Sequence, residues 1–147
     1  MNDKPFLDTN VLLYAFRGDD ARSQTAEALL AAGGIISVQI LNEFAAVARG
    51  KLGRTWEEVR RALKVIRVFC PDPAPLTIEV HDRALQLAGR YGYSIFDSLV
   101  IAAALQAGAG TLYSEDMQDG QMIEGLTIRN PFSRDVHKGP GKKKRVH

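Results

Sequence analysis

Four acids stand where short apolar segments meet polar ones. Asp8 directly follows Phe6-Leu7, and Asp97 lies at the start of the apolar run Phe96–Ala107. Asp116 comes two residues after Leu112-Tyr113-Ser114, and Glu43 sits between Leu41-Asn42 and Phe44-Ala45. An ionised carboxylate on an apolar surface is costly unless something pairs with it. Several converging on one place would also repel each other, and a divalent cation answers both problems. Oxygen donors without His or Cys suit a hard ion, Mg²⁺ or Mn²⁺. Two such ions ~4 Å apart can activate a water and stabilise the leaving oxygen of a phosphodiester. Each acid also has a purely local explanation. Asp97, three residues after Ser94, completes a capping box. Asp8 suits an Asx turn, Asp116 a solvated loop and Glu43 a solvated helix edge. The recurrence of all four at element ends favours a shared role over four separate ones.

The elements that must position them follow from pattern. Phe6-Leu7, Ile35-Ile36-Ser37, Thr111–Ser114 and Leu126–Arg129 read as short strands, with Leu76 in a further short one. Helices are expected at Val11–Phe16, at Asp20–Ala32 ending in Gly33-Gly34, and from Ser37 or Val38 to Gly50. Thr55-Trp56-Glu57-Glu58 is a capping box opening a helix with Trp56, Val59, Leu63 and Ile66 on one face. Its other face is Glu57, Arg60, Arg61, Lys64 and Arg67. Thr77 caps a helix to about Tyr91, and Ser94 caps Phe96–Ala107, which is apolar on nearly every side and so is expected to be buried. Short apolar strands separated by helices imply a parallel sheet with helices on both faces. Ligands of such sheets bind outside the carboxyl ends of the strands, which is where the acids fall.

The chain has 147 residues, one domain's worth. Its 46% apolar and 24% charged residues are ordinary globular values. One cysteine, Cys70, excludes an internal disulfide and a thiolate zinc cluster, and fits a reducing cytoplasm. No apolar run reaches the ~18 residues of a spanning helix, so no membrane partner is expected. Of the net charge of +2, the last ten residues supply five positives, leaving the rest of the chain at −3. That Gly- and Pro-punctuated basic end is expected to be disordered.

The blocks F-L-D-T-N-V-L-L-Y at Phe6–Tyr14, N-E-F at Asn42–Phe44, F-D-S-L-V-I-A-A-A at Phe96–Ala104 and Y-S-E-D-M-Q-D-G at Tyr113–Gly120 resemble the PIN domain. More narrowly, they resemble the VapC toxins of type II toxin–antitoxin modules. The resemblance spans about Lys4 to Phe132. It implies an α/β/α sandwich around a central parallel sheet of four to five short strands, with a nuclease domain at 1–132 and a basic tail at 133–147. It also implies an Mg²⁺- or Mn²⁺-dependent endoribonuclease, with Asp8, Glu43, Asp97 and Asp116 as catalytic metal ligands. Thr9, Asn10 and Ser114 match the family's supporting polar positions. Expected partners are an RNA substrate, a cognate antitoxin and a second copy in a homodimer. The fourth block offers Glu115, Asp116 and Asp119 together. If Glu115–Gln121 coils into a helical turn, Asp116 and Asp119 share a face. Asp116 would then bind a metal directly and Asp119 through a water, with Glu115 solvated.

Two other readings stand beside this one. A haloacid-dehalogenase-like phosphatase would use Asp8 as nucleophile but needs an acid two residues on, where Asn10 stands. A catalytically inactive RNA- or protein-binding module has no reason to bury uncompensated carboxylates. The Arg60, Lys64 and Arg67 stripe could track an RNA backbone, though a solvated face with Glu57 and Glu58 as partners explains it as well. Trp56 reads as core and Cys70 as a buried thiol. His81, His137 and His147 lack metal-ligand spacing.

Overall fold

A computed structural model describes residues 3–133; the disordered tail expected at 133–147 lies, apart from Ser133, outside them. The chain opens with β1 (Phe6–Leu7), then α1 (Thr9–Ala15), α2 (Ser23–Ala31) and α3 (Val38–Gly50). Next come α4 (Trp56–Phe69), α5 (Ile78–Tyr91) and α6 (Ile95–Gln106). It closes with β2 (Thr111–Tyr113), β3 (Met122–Ile123) and β4 (Leu126–Arg129).

The strands form one sheet in the order β1-β2-β4-β3. β1, β2 and β4 run parallel, while β3 pairs antiparallel with β4 as an edge hairpin. That hairpin falls just past the polar loop and is too short for a periodic signal. The strand expected at Ile35–Ser37 is reduced to two isolated bridges, Phe6 with Ile35 and Ser37 with Ala74. Leu76, expected in a strand, is exposed beyond that bridge. The chain leaves β1 for Ile35 on one side and returns as β2 on the other, which makes the carboxyl end of β1 the switch point of the sheet.

Side-chain caps set most helix starts. Ser37, Thr55, Thr77 and Ser94 each accept a backbone N–H three residues on, and Thr55 with Glu58 completes the capping box. α2 starts at Ser23, later than Asp20, because the Asp20 carboxylate accepts the Arg22 backbone N–H in a turn of its own. α6 runs buried from Ser98 to Ala104, as its uniform apolarity requires, and opens to solvent near its two ends, at Phe96 and Gln106. The core joins β1, β2 and β4 to the inner faces of all six helices, and Cys70 is buried in it. Trp56 departs from the expected pattern. It is 54% exposed, with the Arg49 guanidinium 5.4 Å from its ring centroid.

Gly34 is needed where the chain passes β1. A Cβ there would lie 2.8 Å from Leu7 Cγ and 3.0 Å from the Pro5 carbonyl oxygen. Gly34→Ala is therefore expected to overpack the strand that leads into Asp8, at a cost of about 1–3 kcal/mol. Thermal melting checks this: the variant should unfold several degrees below the parent.

Candidate active site

The sheet register brings the first and fourth sequence blocks side by side. Leu7 pairs with Tyr113, and the Asp8 backbone N–H donates to the Tyr113 carbonyl at 3.0 Å. Asp8 and Ser114 are thus the next residues out on adjacent parallel strands. The Ser114 hydroxyl donates to Asp8 Oδ2 at 2.7 Å, and the Thr9 backbone N–H donates to Asp8 Oδ1 at 2.7 Å. Asp8 is also the N-cap of α1. Only 6% of it is exposed, and Ser114 is fully buried.

Burial pushes the Asp8 carboxyl up from its ordinary 3.8 to about 7. The Ser114 and Thr9 hydrogen bonds oppose the rise, and the charges of Asp97 and Asp116 add to it. Glu43, half-buried on α3, is raised as well. Desolvation comes first, the Thr9 bond opposes it, and Asp97 and Asp116 again add to it. The Thr9 hydroxyl donates to Glu43 Oε1 at 3.2 Å. Asp97 sits in the first turn of α6, its backbone N–H capped by Ser94 Oγ at 3.1 Å. This bond caps α6 through the Asp97 backbone alone, while the Asp97 charge acts on Asp8 and Glu43. Asp116 Oδ2 accepts from Asn10 Nδ2 at 2.7 Å, and the Asp116 backbone N–H donates to Ser114 Oγ at 3.3 Å. Four segments far apart in sequence thus meet here: the Asp97 and Asp116 charges act on both Asp8 and Glu43, and Thr9, Asn10 and Ser114 bond to Asp8, Glu43 and Asp116.

Glu115–Met117 is a run of bends, not a helical turn. Asp116 and Asp119 therefore do not share a face. Asp119 Oδ1 accepts the Asn130 backbone N–H at 2.9 Å and ties the loop to the end of β4. Asp119→Ala is expected to lower thermal stability by about 1 kcal/mol and to leave the Mn²⁺ concentration for half-maximal cleavage within about two-fold. A tenfold weaker response, the size of an outer-sphere ligand effect, would restore its metal role. Metal titration of parent and variant decides between them.

Glu115 is not solvated. Its two oxygens accept from Tyr14 Oη at 2.7 Å and from Arg22 Nη1 at 2.7 Å. The same guanidinium grips Asp20 through Nε at 2.8 Å and Nη2 at 3.0 Å, and lies 4.3 Å from the Tyr14 ring centroid. Tyr14 packs edge-on against Phe132, the rings 5.1 Å apart. Burial and the bond to Glu115 raise the Tyr14 phenol above its usual range, and Arg22 holds Asp20 below the ordinary carboxylate value. Asn10 and Tyr14, one helical turn apart on α1, thus hold the consecutive acids Asp116 and Glu115. No local pattern points to Arg22, which lies 93 residues from Glu115 in sequence. The i, i+4 spacing of Asn10 and Tyr14 behind Asp8 is the one signal that could have revealed part of this network.

Among the described residues, no group of three or more Asp, Glu, His or Cys stands together so that it could hold a metal ion. The donor chemistry nonetheless suits a hard divalent cation. It consists of oxygen donors alone, and each Asp8 oxygen spends one acceptor site on a hydrogen bond and keeps another.

The fold and this acidic rim define an α/β protein whose site lies at the carboxyl edge of a mostly parallel sheet. The chain belongs to the PIN domain family, whose model matches residues 6–118. Comparison with curated proteins gives no match. Solved structures that share the fold include three from toxin–antitoxin systems. One is Mycobacterium tuberculosis VapC20, a sarcin-ricin loop cleaving toxin (TM-score 0.60, 21% identity, 74% of this chain and 87% of that one). Another is a toxin–antitoxin complex from Klebsiella pneumoniae (TM-score 0.66, 20% identity, 86% and 97%). The third is VapBC2 from Rickettsia felis bound to a DNA fragment from their promoter (TM-score 0.62, 20% identity, 85% and 96%). Membership in the PIN family removes the phosphatase reading. Asn10, where that chemistry needs an acid, donates to Asp116 instead.

Proposed function

We propose that this chain is a metal-dependent endoribonuclease and the toxin of a VapC-type toxin–antitoxin pair. The observation that carries the reading is the convergence of the Asp97 and Asp116 charges on Asp8 and Glu43 at the switch point of a PIN fold. The similarity to a sarcin-ricin loop cleaving toxin and to a toxin–antitoxin complex supports the biological role.

Asp8, Glu43, Asp97 and Asp116 would hold Mg²⁺ or Mn²⁺. Bound there, the ion supplies positive charge against the phosphate and lowers the pKa of a water. The chain's own residues do the positioning. Thr9 and Ser114 fix both oxygens of Asp8, Thr9 steadies Glu43, and Asn10 aims Asp116. An acid at this rim can also take the proton of the attacking water. An apolar cleft of about 150 Å³ between α1, α3 and α4, lined by Leu13, Phe16, Phe44, Ala48 and Val59, suits the apolar face of an antitoxin helix. The resemblance further implies a homodimer. Among the described residues no helix is long and apolar enough to cross a membrane.

The test is cleavage of labelled RNA by the purified chain with Mg²⁺ or Mn²⁺ and with excess EDTA. Cleavage only with metal, suppressed by the co-expressed product of an adjacent reading frame, is the expected result. Equal cleavage in EDTA overturns the metal role, and failure to cut any RNA overturns the function.

A further inference from the structure

We propose that the exposed face of α4, with the end of α3, is a docking surface for single-stranded RNA on which Trp56 stacks a base. The inference rests on the ribonuclease reading above and assigns where that substrate is gripped. Thirteen Lys and Arg fall among the described residues, and seven of them lie between Arg49 and Arg67, all exposed. With Glu57 and Glu58 as the acids there, this stretch carries +5. The rest of the described chain, with six cations and fourteen acids, carries −8. A polyanion brought to the acidic rim by that remainder alone would be repelled. The cationic face is the part of the described surface with the charge to hold it.

The arrangement on α4 suits a strand. At about 100° per residue, Trp56, Arg60, Lys64 and Arg67 fall within an arc of roughly 80°. They span roughly 16 Å of helix, room for several phosphates of one strand. Arg60, Lys64 and Arg67 take part in none of the ion pairs among the described residues. Glu57 pairs with Arg61 at 3.4 Å, and Glu58 spends its carboxylate on the Thr55 backbone N–H at 2.8 Å. Trp56 heads the stripe, more than half exposed, and the Arg49 guanidinium lies over its ring. An aromatic face beside guanidinium groups is the chemistry that stacks unpaired bases and tracks a backbone without reading sequence. Trp56 needs an unstacked base, which favours a single strand over a duplex. The face also begins close to the acids. Glu43 and Arg49 lie on the same helix, roughly 9 Å apart along its axis.

The experiment uses the full chain in EDTA, where RNA can bind but not be cut, with a labelled mixed-sequence single-stranded oligoribonucleotide. Trp56 is the only tryptophan, so its emission reports contact directly. The expected result is quenching on binding. Trp56→Ala should weaken affinity by about 10-fold and Trp56→Phe by much less. The triple change Arg60→Gln, Lys64→Gln, Arg67→Gln should lower the slope of log affinity against log salt by about 2. The basic tail is common to all these proteins and cancels from the comparison. Unquenched Trp56 with a parental slope in the triple variant, while the parent still cuts RNA with metal, overturns this docking face and leaves the ribonuclease reading standing. Quenching and a reduced slope without cleavage in metal support the face and overturn the ribonuclease reading. Equal affinity for duplex DNA of the same length overturns the assignment to single-stranded RNA.

Discussion

Asp8→Asn is expected to abolish cleavage while leaving the metal-free protein at least as stable as the parent. Asparagine caps a helix as well as aspartate, so α1 keeps its start and the Thr9 N–H keeps its acceptor. The Ser114 hydroxyl can turn to accept from the new amide. What is lost is the charge of the most buried of the four acids. Loss of a ligand that also sets the local field should cost at least ~10³-fold in rate, about 4 kcal/mol of barrier. Stability should move the other way. The Asp8 carboxyl titrates near 7 in the fold against an ordinary 3.8, because burial and the charges of Asp97 and Asp116 disfavour its ionised form. A raised carboxyl favours the fold most below 3.8, and that contribution is lost as the pH rises to about 7. In EDTA, the parent should therefore melt progressively lower between pH 4 and 7 and level off above. Asp8→Asn should flatten that slope and melt higher than the parent at pH 8. A variant that cleaves at more than a tenth of the parental rate, or that melts lower at pH 8, contradicts the site described above.

Arg22→Ala is expected to damage both stability and activity from outside the acidic rim. The guanidinium bonds Asp20 and Glu115 and covers the Tyr14 ring, with 29% of its side chain exposed. Removing it strips two partly buried carboxylates of their cation, leaves Glu115 with the Tyr14 hydroxyl, and takes away the packing on Tyr14. Exposure screens part of the loss, so the cost should be about 2 kcal/mol, or roughly 5 °C in melting temperature. Glu115 is the residue before Asp116, and without Arg22 the side-chain hold on these two acids is left to Tyr14 and Asn10. Cleavage at fixed Mn²⁺ should fall roughly 10- to 100-fold, with part of the loss recovered at higher Mn²⁺. Arg22→Lys should restore one ion pair, but not the paired grip on Asp20 and Glu115. It should therefore fall between alanine and the parent. An Arg22→Ala protein that melts lower yet keeps the parental response to Mn²⁺ would make this network a brace for the fold and nothing more.

The elements carrying the four acids could be read directly from the chain because each depends on local signals. A helix cap needs a Ser or Thr and a backbone N–H three residues on, and Ser37, Thr55, Thr77 and Ser94 supply them within one turn. The apolarity of α6 dictated its burial, and the exits of short apolar strands marked where acids would gather. Tertiary packing decided what depends on residues distant in sequence. Whether Ile35–Ser37 became a strand or two bridges depended on which neighbours it met on either side. Trp56 shares the helical spacing of Val59 and Ile66, yet it lies at the edge of that face, beyond the reach of the core, where Arg49 covers it instead. Asp119 and Glu115 look like equal candidates beside Asp116. Their roles were set by Asn130, 11 residues on, and by Tyr14 and Arg22, about a hundred residues back. A side chain in a polar loop takes the nearest strong donor. Which donor is nearest depends on how β1, β2 and β4 align, and no short stretch of sequence contains that alignment.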